Sequence, residues 1–219
     1  MNKVKIIEAF TSWQGEGNDA GKRMLILRFK KCNRHCKWCD TNVKMRISNE
    51  FELTLKGIQE TVDREKCGLL ITGGEPTFGG NFEQTRDLIN RVKANVYNVE
   101  TNGCDLVDLI KVVNKNKNVS YSLSPKLFND TDFMGYKRLV KELKDNKKVF
   151  IKLVTENRPL IISFLDFLVE IEFDMNRVFL MPEGTTKDAI VNNAPFVFDT
   201  AEKYKCNFSS REHIIYGFV

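Results

Sequence analysis

Apolar residues along the chain come in short continuous runs, and between the runs they recur every three or four positions; the two patterns alternate from end to end. VKIIEAF near the amino end reads as a strand. TSWQGEGNDAG after it is polar and glycine-rich, hence a loop. MLILRFK (24–30) has the apolar continuity of a buried strand and stops just before Cys32. LTLKGIQETVDREK then reads as a helix, GLLIT (68–72) as a strand, and NFEQTRDLINRVKA as a helix with Phe82, Leu88, Ile89 and Val92 on one face. The alternation continues with strand 95–101, helix DLVDLIKVVNK, strand 118–124, helix FMGYKRLVKELKD and strand 148–155. RPLIISFLDFLVEI carries a wide apolar stripe of Leu160, Ile161, Phe164, Leu165 and Leu168, and RVFLM (177–181) is the next strand. Thr185 with Asp188 is a capping box for a last helix that Pro195 is expected to interrupt, and HIIYGFV (213–219) reads as an edge strand.

Six strand-then-helix units predict an α/β fold with a parallel sheet and right-handed crossovers, either doubly wound or an incomplete barrel. The unusual residues fall at the strand ends. CNRHCKWCDT (32–41) follows the first repeat strand, TGGEPT (72–77) the second, ETNG (100–103) the third, SPK (124–126) the fourth and MPEG (181–184) the sixth. Each motif alone has a structural reading as a turn or strand terminus. Together they mark one rim, because the carboxyl ends of parallel strands share a face and active sites are built there.

Composition narrows the class. At 219 residues with 42% apolar and 29% charged positions, the chain is long enough for one sizeable core and reads as a single soluble domain. No run is long enough to span a bilayer and no signal-peptide pattern opens the sequence, so the expected location is cytoplasmic, with no membrane partner. The net charge of +5 mildly favours anionic ligands, but no dense Lys/Arg block interleaved with aromatics points to nucleic acid. Three of the six cysteines cluster at metal spacing while Cys67, Cys104 and Cys206 are scattered, which suits a reducing compartment better than disulfides.

Cys32, Cys36 and Cys39 stand at C-x3-C-x2-C spacing, so one loop can bring three thiolates to a point. Three sulfurs are one short of a closed tetrahedral site. Either His35 or Asp40 completes a zinc knuckle, or the thiolates hold a 4Fe-4S cluster with one iron open to a small molecule. With Trp38 before the last cysteine, the motif resembles the signature of the radical S-adenosylmethionine (SAM) superfamily, in which the open iron binds SAM. EAFTSWQGEG, LRF, CNRHCKWCDT, TGGEPT, ETNG and SPK together resemble the 7-carboxy-7-deazaguanine synthase family, with QGEG, CDT and SPK the more particular features.

That resemblance implies a partial, six-unit parallel β/α barrel of the radical SAM type over 1–219, with 1–23 a substrate-binding extension and 205–219 a carboxyl-terminal strand or tail. It implies a 4Fe-4S cluster on Cys32, Cys36 and Cys39, and Mg2+ on Thr41. SAM is expected at Trp38, Asp40, Gly74, Glu75, Asn102, Ser124, Pro125 and Lys126. The implied substrate is 6-carboxy-5,6,7,8-tetrahydropterin, contacted by Trp13, Gln14, Gly15, Glu16, Arg28, Thr72 and Val219. Ring contraction with loss of ammonia gives the deazapurine, with SAM regenerated. An external donor of the flavodoxin or ferredoxin type and a homodimer are also implied, with no direct nucleic-acid partner. Arg28 has a second reading, a salt bridge to a rim glutamate, and Arg211 and His213 resemble a family ending, although His213 also suits a structural role. The rivals are a glycyl-radical activase, which has no evident use for QGEG, Arg28 and Thr41 together, and a non-catalytic zinc-knuckle module.

Overall fold

The computed structural model describes residues 2–36, 39, 41, 47–155 and 158–218. They form two compact units, one made of 1–14 with 21–121 and the other of 15–20 with 122–219.

In the first unit the amino-terminal apolar run divides. β1 (Lys3–Ile6) and β2 (Glu8–Trp13) join different sheets, and β2 takes in three residues of the expected loop. β2 pairs antiparallel with β3 (Arg23–Phe29), while β1 pairs antiparallel with β4 (Phe51–Thr54), a strand whose last two residues fall inside the segment expected to be helical. The helix begins after it, α1 (Leu55–Glu65), where the Thr54 hydroxyl accepts the Gly57 amide hydrogen at 3.0 Å. β5 (Gly68–Gly73) lies parallel to β3, α2 (Gly80–Arg91) follows, and β6 (Tyr97–Thr101) lies parallel to β5, giving the order β2-β3-β5-β6. β3 and β5 are buried on both faces, as their unbroken apolar runs require. On one face Met24, Ile26 and Leu70 pack together. The register that sets Ile26 beside Leu70 also sets Arg28 beside Thr72 and Glu8 opposite Arg28, so this face turns polar at its carboxyl end.

α3 (Leu106–Val112) leads to β7 (Val119–Leu123), which carries the chain into the second unit. There α4 (Asp130–Leu143), capped by Asn129, precedes β8 (Val149–Val154); α5 (Arg158–Glu170) precedes β9 (Val178–Met181). β8 and β9 are parallel, and the two-residue β10 (Asn207–Phe208) is parallel to β9.

This half departs from the sequence pattern in three places. The cap of α6 (Lys187–Tyr204) is Thr186, whose hydroxyl takes the Ala189 amide, one residue after Thr185. Pro195 does not interrupt α6; the carbonyl it cannot satisfy belongs to Val191, an exposed residue where water can replace the lost donor. Residues 213–218 are not an edge strand. Glu212–Tyr216 form a short helix, α7, closed by Gly217 in the left-handed region, and the strand at this edge is β10.

Arg177, before β9, ties the unit together. Its guanidinium lies 4.3 Å from the Phe173 ring and donates to the carbonyls of Lys144 (2.5 Å), Asn146 (2.7 Å) and Val149 (3.0 Å), at and beyond the end of α4. Arg177→Ala would take the guanidinium donor from three partly or fully buried carbonyls and is expected to cost about 2–4 kcal/mol in urea unfolding. Arg177→Lys should recover only part of it, because one ammonium cannot reproduce the fork.

Candidate functional site

The first unit brings three rim motifs into one hydrogen-bonded network. Gly73 and Gly74 let the β5 turn press against the chain that leads to Cys32. A Cβ on Gly74 would stand 2.1 Å from the Lys31 carbonyl oxygen, and one on Gly73, whose φ is +102°, would stand 2.4 Å from the Phe29 nitrogen. The Gly74 and Glu75 amides donate to the carbonyls of Phe29 and Lys31 at 2.8 and 2.7 Å, and the Asn81 side-chain amide bridges Lys31 and Glu75. The backbone these glycines approach is therefore the protein's own.

Glu75, 1% exposed, spends its carboxylate on the same task. One oxygen accepts the Thr77 amide (3.0 Å), the Thr77 hydroxyl (2.7 Å) and the Thr101 hydroxyl (2.5 Å), and the other accepts the Asn102 amide at 2.6 Å. The Asn102 side-chain amide reaches back to the Asn33 side-chain oxygen at 2.7 Å. GGEP, ETNG and the cysteine loop are thus bonded in series. Asn33, Thr77 and Thr101 were not singled out from sequence, although all three lie in or beside the quoted motifs.

Next to this network is a second polar group. Arg28 Nε donates to Glu8 at 2.6 Å and Arg28 Nη1 to the buried Thr41 hydroxyl at 3.2 Å. Arg28 thus has an anionic partner, Glu8, on the adjacent strand β2. Gln14 Nε2 (3.2 Å) and the Thr72 hydroxyl (2.8 Å) donate to the two oxygens of Glu100. Gln14 and Thr72 are both buried, whereas Trp13 is half-exposed.

The second unit holds Glu16, Ser124, Pro125 and Lys126. Lys126 Nζ donates to the buried Ser124 hydroxyl at 2.9 Å. Glu16, 8% exposed, meets Lys152 Nζ at 2.6 Å, Arg211 Nε at 3.0 Å and His213 Nε2 at 3.7 Å. Burial alone would raise the Glu16 pKa, but the charges of Lys152, Arg211 and His213 outweigh it and hold the carboxyl well below its usual range. Arg211 Nη1 also donates to the Gly184 carbonyl of MPEG at 2.6 Å, which gives that segment a structural place. Gly15 lies under the tail, where a Cβ would stand 2.5 Å from His213 Nδ1. Lys152 was missed in the sequence; its signal was a charged residue inside an otherwise apolar buried strand.

A model of the Radical SAM superfamily matches residues 26–180, more than half of the chain. The chain belongs to the radical SAM superfamily. Curated relatives named 7-carboxy-7-deazaguanine synthase include one from Clostridium acetobutylicum, 28% identical over 76% of this chain and 75% of its own. Another, from Pyrobaculum aerophilum, is 26% identical over 97% of this chain and 94% of its own. The crystal structure of QueE from Escherichia coli aligns with a TM-score of 0.63 at 18% identity, covering 96% of this chain and 95% of that one. The likeness shows the fold, a partial parallel β/α barrel of the radical SAM type.

Superfamily membership implies a 4Fe-4S cluster and SAM, and the donor chemistry fits. Three soft thiols sit in one loop, none of the cysteines is in a disulfide, and Cys32, Cys36 and Cys39 are each partly accessible. Among the described residues no group of three metal-binding side chains is already gathered; the loop also includes 37, 38 and 40, so Trp38 and Asp40 lie outside the described residues, as does Val219. Burial pushes the Cys32 thiol up, against a hydrogen bond from the Arg34 amide, so binding of metal there must displace a proton. Thr41 suits Mg2+ less simply. Its oxygen already faces the Arg28 guanidinium, and a second cation fits only if a ligand brings anionic oxygens with it.

Proposed function

We propose that this radical SAM protein converts 6-carboxy-5,6,7,8-tetrahydropterin to 7-carboxy-7-deazaguanine. The observation that carries the reading is the fate of the QGEG segment: Gln14 and Glu16 are buried and held by specific partners, where an ordinary loop would leave them in water. Neither an activase nor a zinc-knuckle module has a use for that arrangement.

When bound, the cluster and SAM supply the one-electron chemistry that takes a hydrogen atom from C6 of the pterin. The chain's own residues do the rest by holding and shielding. Cys32, Cys36 and Cys39 hold the cluster. Gly74, Asn102, Ser124, Pro125 and Lys126 are assigned to SAM, with Glu75 acting behind them through Asn102. Gln14 and Glu16 offer hydrogen-bonding groups to the pterin ring, and Arg28 with Thr41 takes the substrate carboxylate and Mg2+ together. An external one-electron donor of the flavodoxin or ferredoxin type, a homodimer and a cytoplasmic setting complete the reading.

The test is anaerobic reconstitution followed by incubation with SAM, reductant, Mg2+ and the carboxy-tetrahydropterin. A deazapurine product one ammonia lighter than the substrate is expected by mass, with SAM turned over catalytically. Cleavage of SAM without that product would leave the superfamily in place and reject the substrate.

A further inference from the structure

Glu16 is a buried carboxylate with more cations around it than a single ion pair needs. Lys152 comes from the middle of β8, Arg211 and His213 from the segment that opens α7, and all three converge on a loop that precedes them by more than a hundred residues in sequence. Lys152 and Arg211 are 6% and 7% exposed. Lys152 meets one oxygen of Glu16 and Arg211 the other. An ionised carboxylate offers roughly four lone-pair sites. With one cationic donor on each oxygen, acceptor capacity remains on both. A pair of such acceptors fits two adjacent N–H donors, as on the amino-pyrimidinone edge of a pterin.

The same clamp fastens the tail. The Ser209 hydroxyl accepts the Gly17 amide at 2.8 Å, the Glu212 amide donates to the Gly15 carbonyl at 3.1 Å, and Arg211 reaches the Gly184 carbonyl while it holds Glu16. Position and orientation of the Glu16 carboxylate are therefore set from two elements at once.

We propose that Lys152 and Arg211 are positioning residues for substrate recognition: they hold Glu16 as a fixed, ionised acceptor for the N–H edge of the pterin, and Arg211 makes the carboxyl-terminal tail part of that arrangement. This rests on the pterin reading above. The charged or titratable groups that face Glu16 are Lys152 on β8 and Arg211 and His213 on the tail. Without Lys152, burial acts against one cation fewer and the carboxyl titrates at a higher pH than in the native protein.

The experiment measures KM for the pterin and kcat from about pH 5.5 to 8 in the reconstituted holoenzyme, for the native chain, Lys152→Met, Lys152→Arg and Glu16→Gln, the range being chosen to bracket a carboxyl raised by burial. Lys152→Met is expected to raise KM about tenfold at neutral pH with kcat within about twofold, the pattern for loss of an interaction made equally in ground and transition states. The ratio of its KM to the native value should grow as pH falls, by up to about tenfold per unit below the new carboxyl pKa. Lys152→Arg should restore most of the native profile, and Lys152→Met should add little in the Glu16→Gln background. A Lys152→Met loss confined to kcat, or a KM ratio flat with pH, or an undiminished cost in the Glu16→Gln background, would overturn the proposal.

Hydrogen exchange at the Gly17 and Glu212 amides gives a readout that needs no substrate. Lys152→Met should lose protection there as pH is lowered and Lys152→Arg should keep it; unchanged protection in Lys152→Met would also overturn the proposal. If the native enzyme turns over no pterin while exchange behaves as expected, the substrate reading fails and the clamp stands.

Discussion

Glu75→Ala should lower stability by about 3–5 kcal/mol, the scale for removing one member of a fully bonded buried polar cluster. In a chain of this size that is a fall of about 10 °C in Tm. The cause is specific. Four donors, from Thr77, Thr101 and Asn102, converge on one carboxylate that is almost fully buried, and removal takes that acceptor from all four, leaving the two hydroxyls only each other at 3.3 Å. Glu75→Gln should rescue little, since its NH2 would face at least one N–H or O–H donor. Because Asn102 is bonded both to Glu75 and to Asn33, the variant should also take up iron poorly in reconstitution. A Tm at the native value, with SAM affinity alone reduced, would show instead that Glu75 is a ligand-facing residue.

Cys36→Ala is expected to abolish product formation, by more than about a thousandfold, while leaving Tm of the metal-free chain within about 2 °C. Two thiolates cannot hold a cluster that needs three, and Cys36, partly accessible in a loop, contributes little to the core. Iron per chain and the brown absorbance should fall with activity. Full iron content with normal turnover in Cys36→Ala would remove that thiol from the ligand set, whereas a collapse in the Tm of the metal-free chain would assign it to the fold.

The parts of this structure that could be read from sequence are those fixed locally. β3 and β5 are continuous apolar runs because both their faces are covered, and the motifs at their carboxyl ends stand where parallel strands put them. The capping of α6 was legible to within one residue because it depends on a hydroxyl and a nearby amide. What escaped depends on distant partners. Phe51–Thr54 is a strand only because Lys3–Ile6 pairs with it. Ile214 and Ile215 have strand propensity, yet Arg211 and Glu212, anchored to Glu16 and Gly15, start a helix there. Choice of ion-pair partner is equally non-local. Arg28 was recognisable as a cation at the end of an apolar strand and in need of an anion, but only the β2–β3 register sets Glu8 beside it. Gly74 packs against the Lys31 backbone, a neighbour no sequence pattern names, since glycine signals close approach without saying to what.

Whether three thiolates leave one iron open to SAM is settled most directly by electron paramagnetic resonance of the anaerobically reconstituted, reduced protein with and without SAM. A 4Fe-4S signal that changes shape on addition of SAM, and is lost in Cys36→Ala, is expected. A colourless protein with one zinc per chain, or a cluster signal indifferent to SAM, would contradict it.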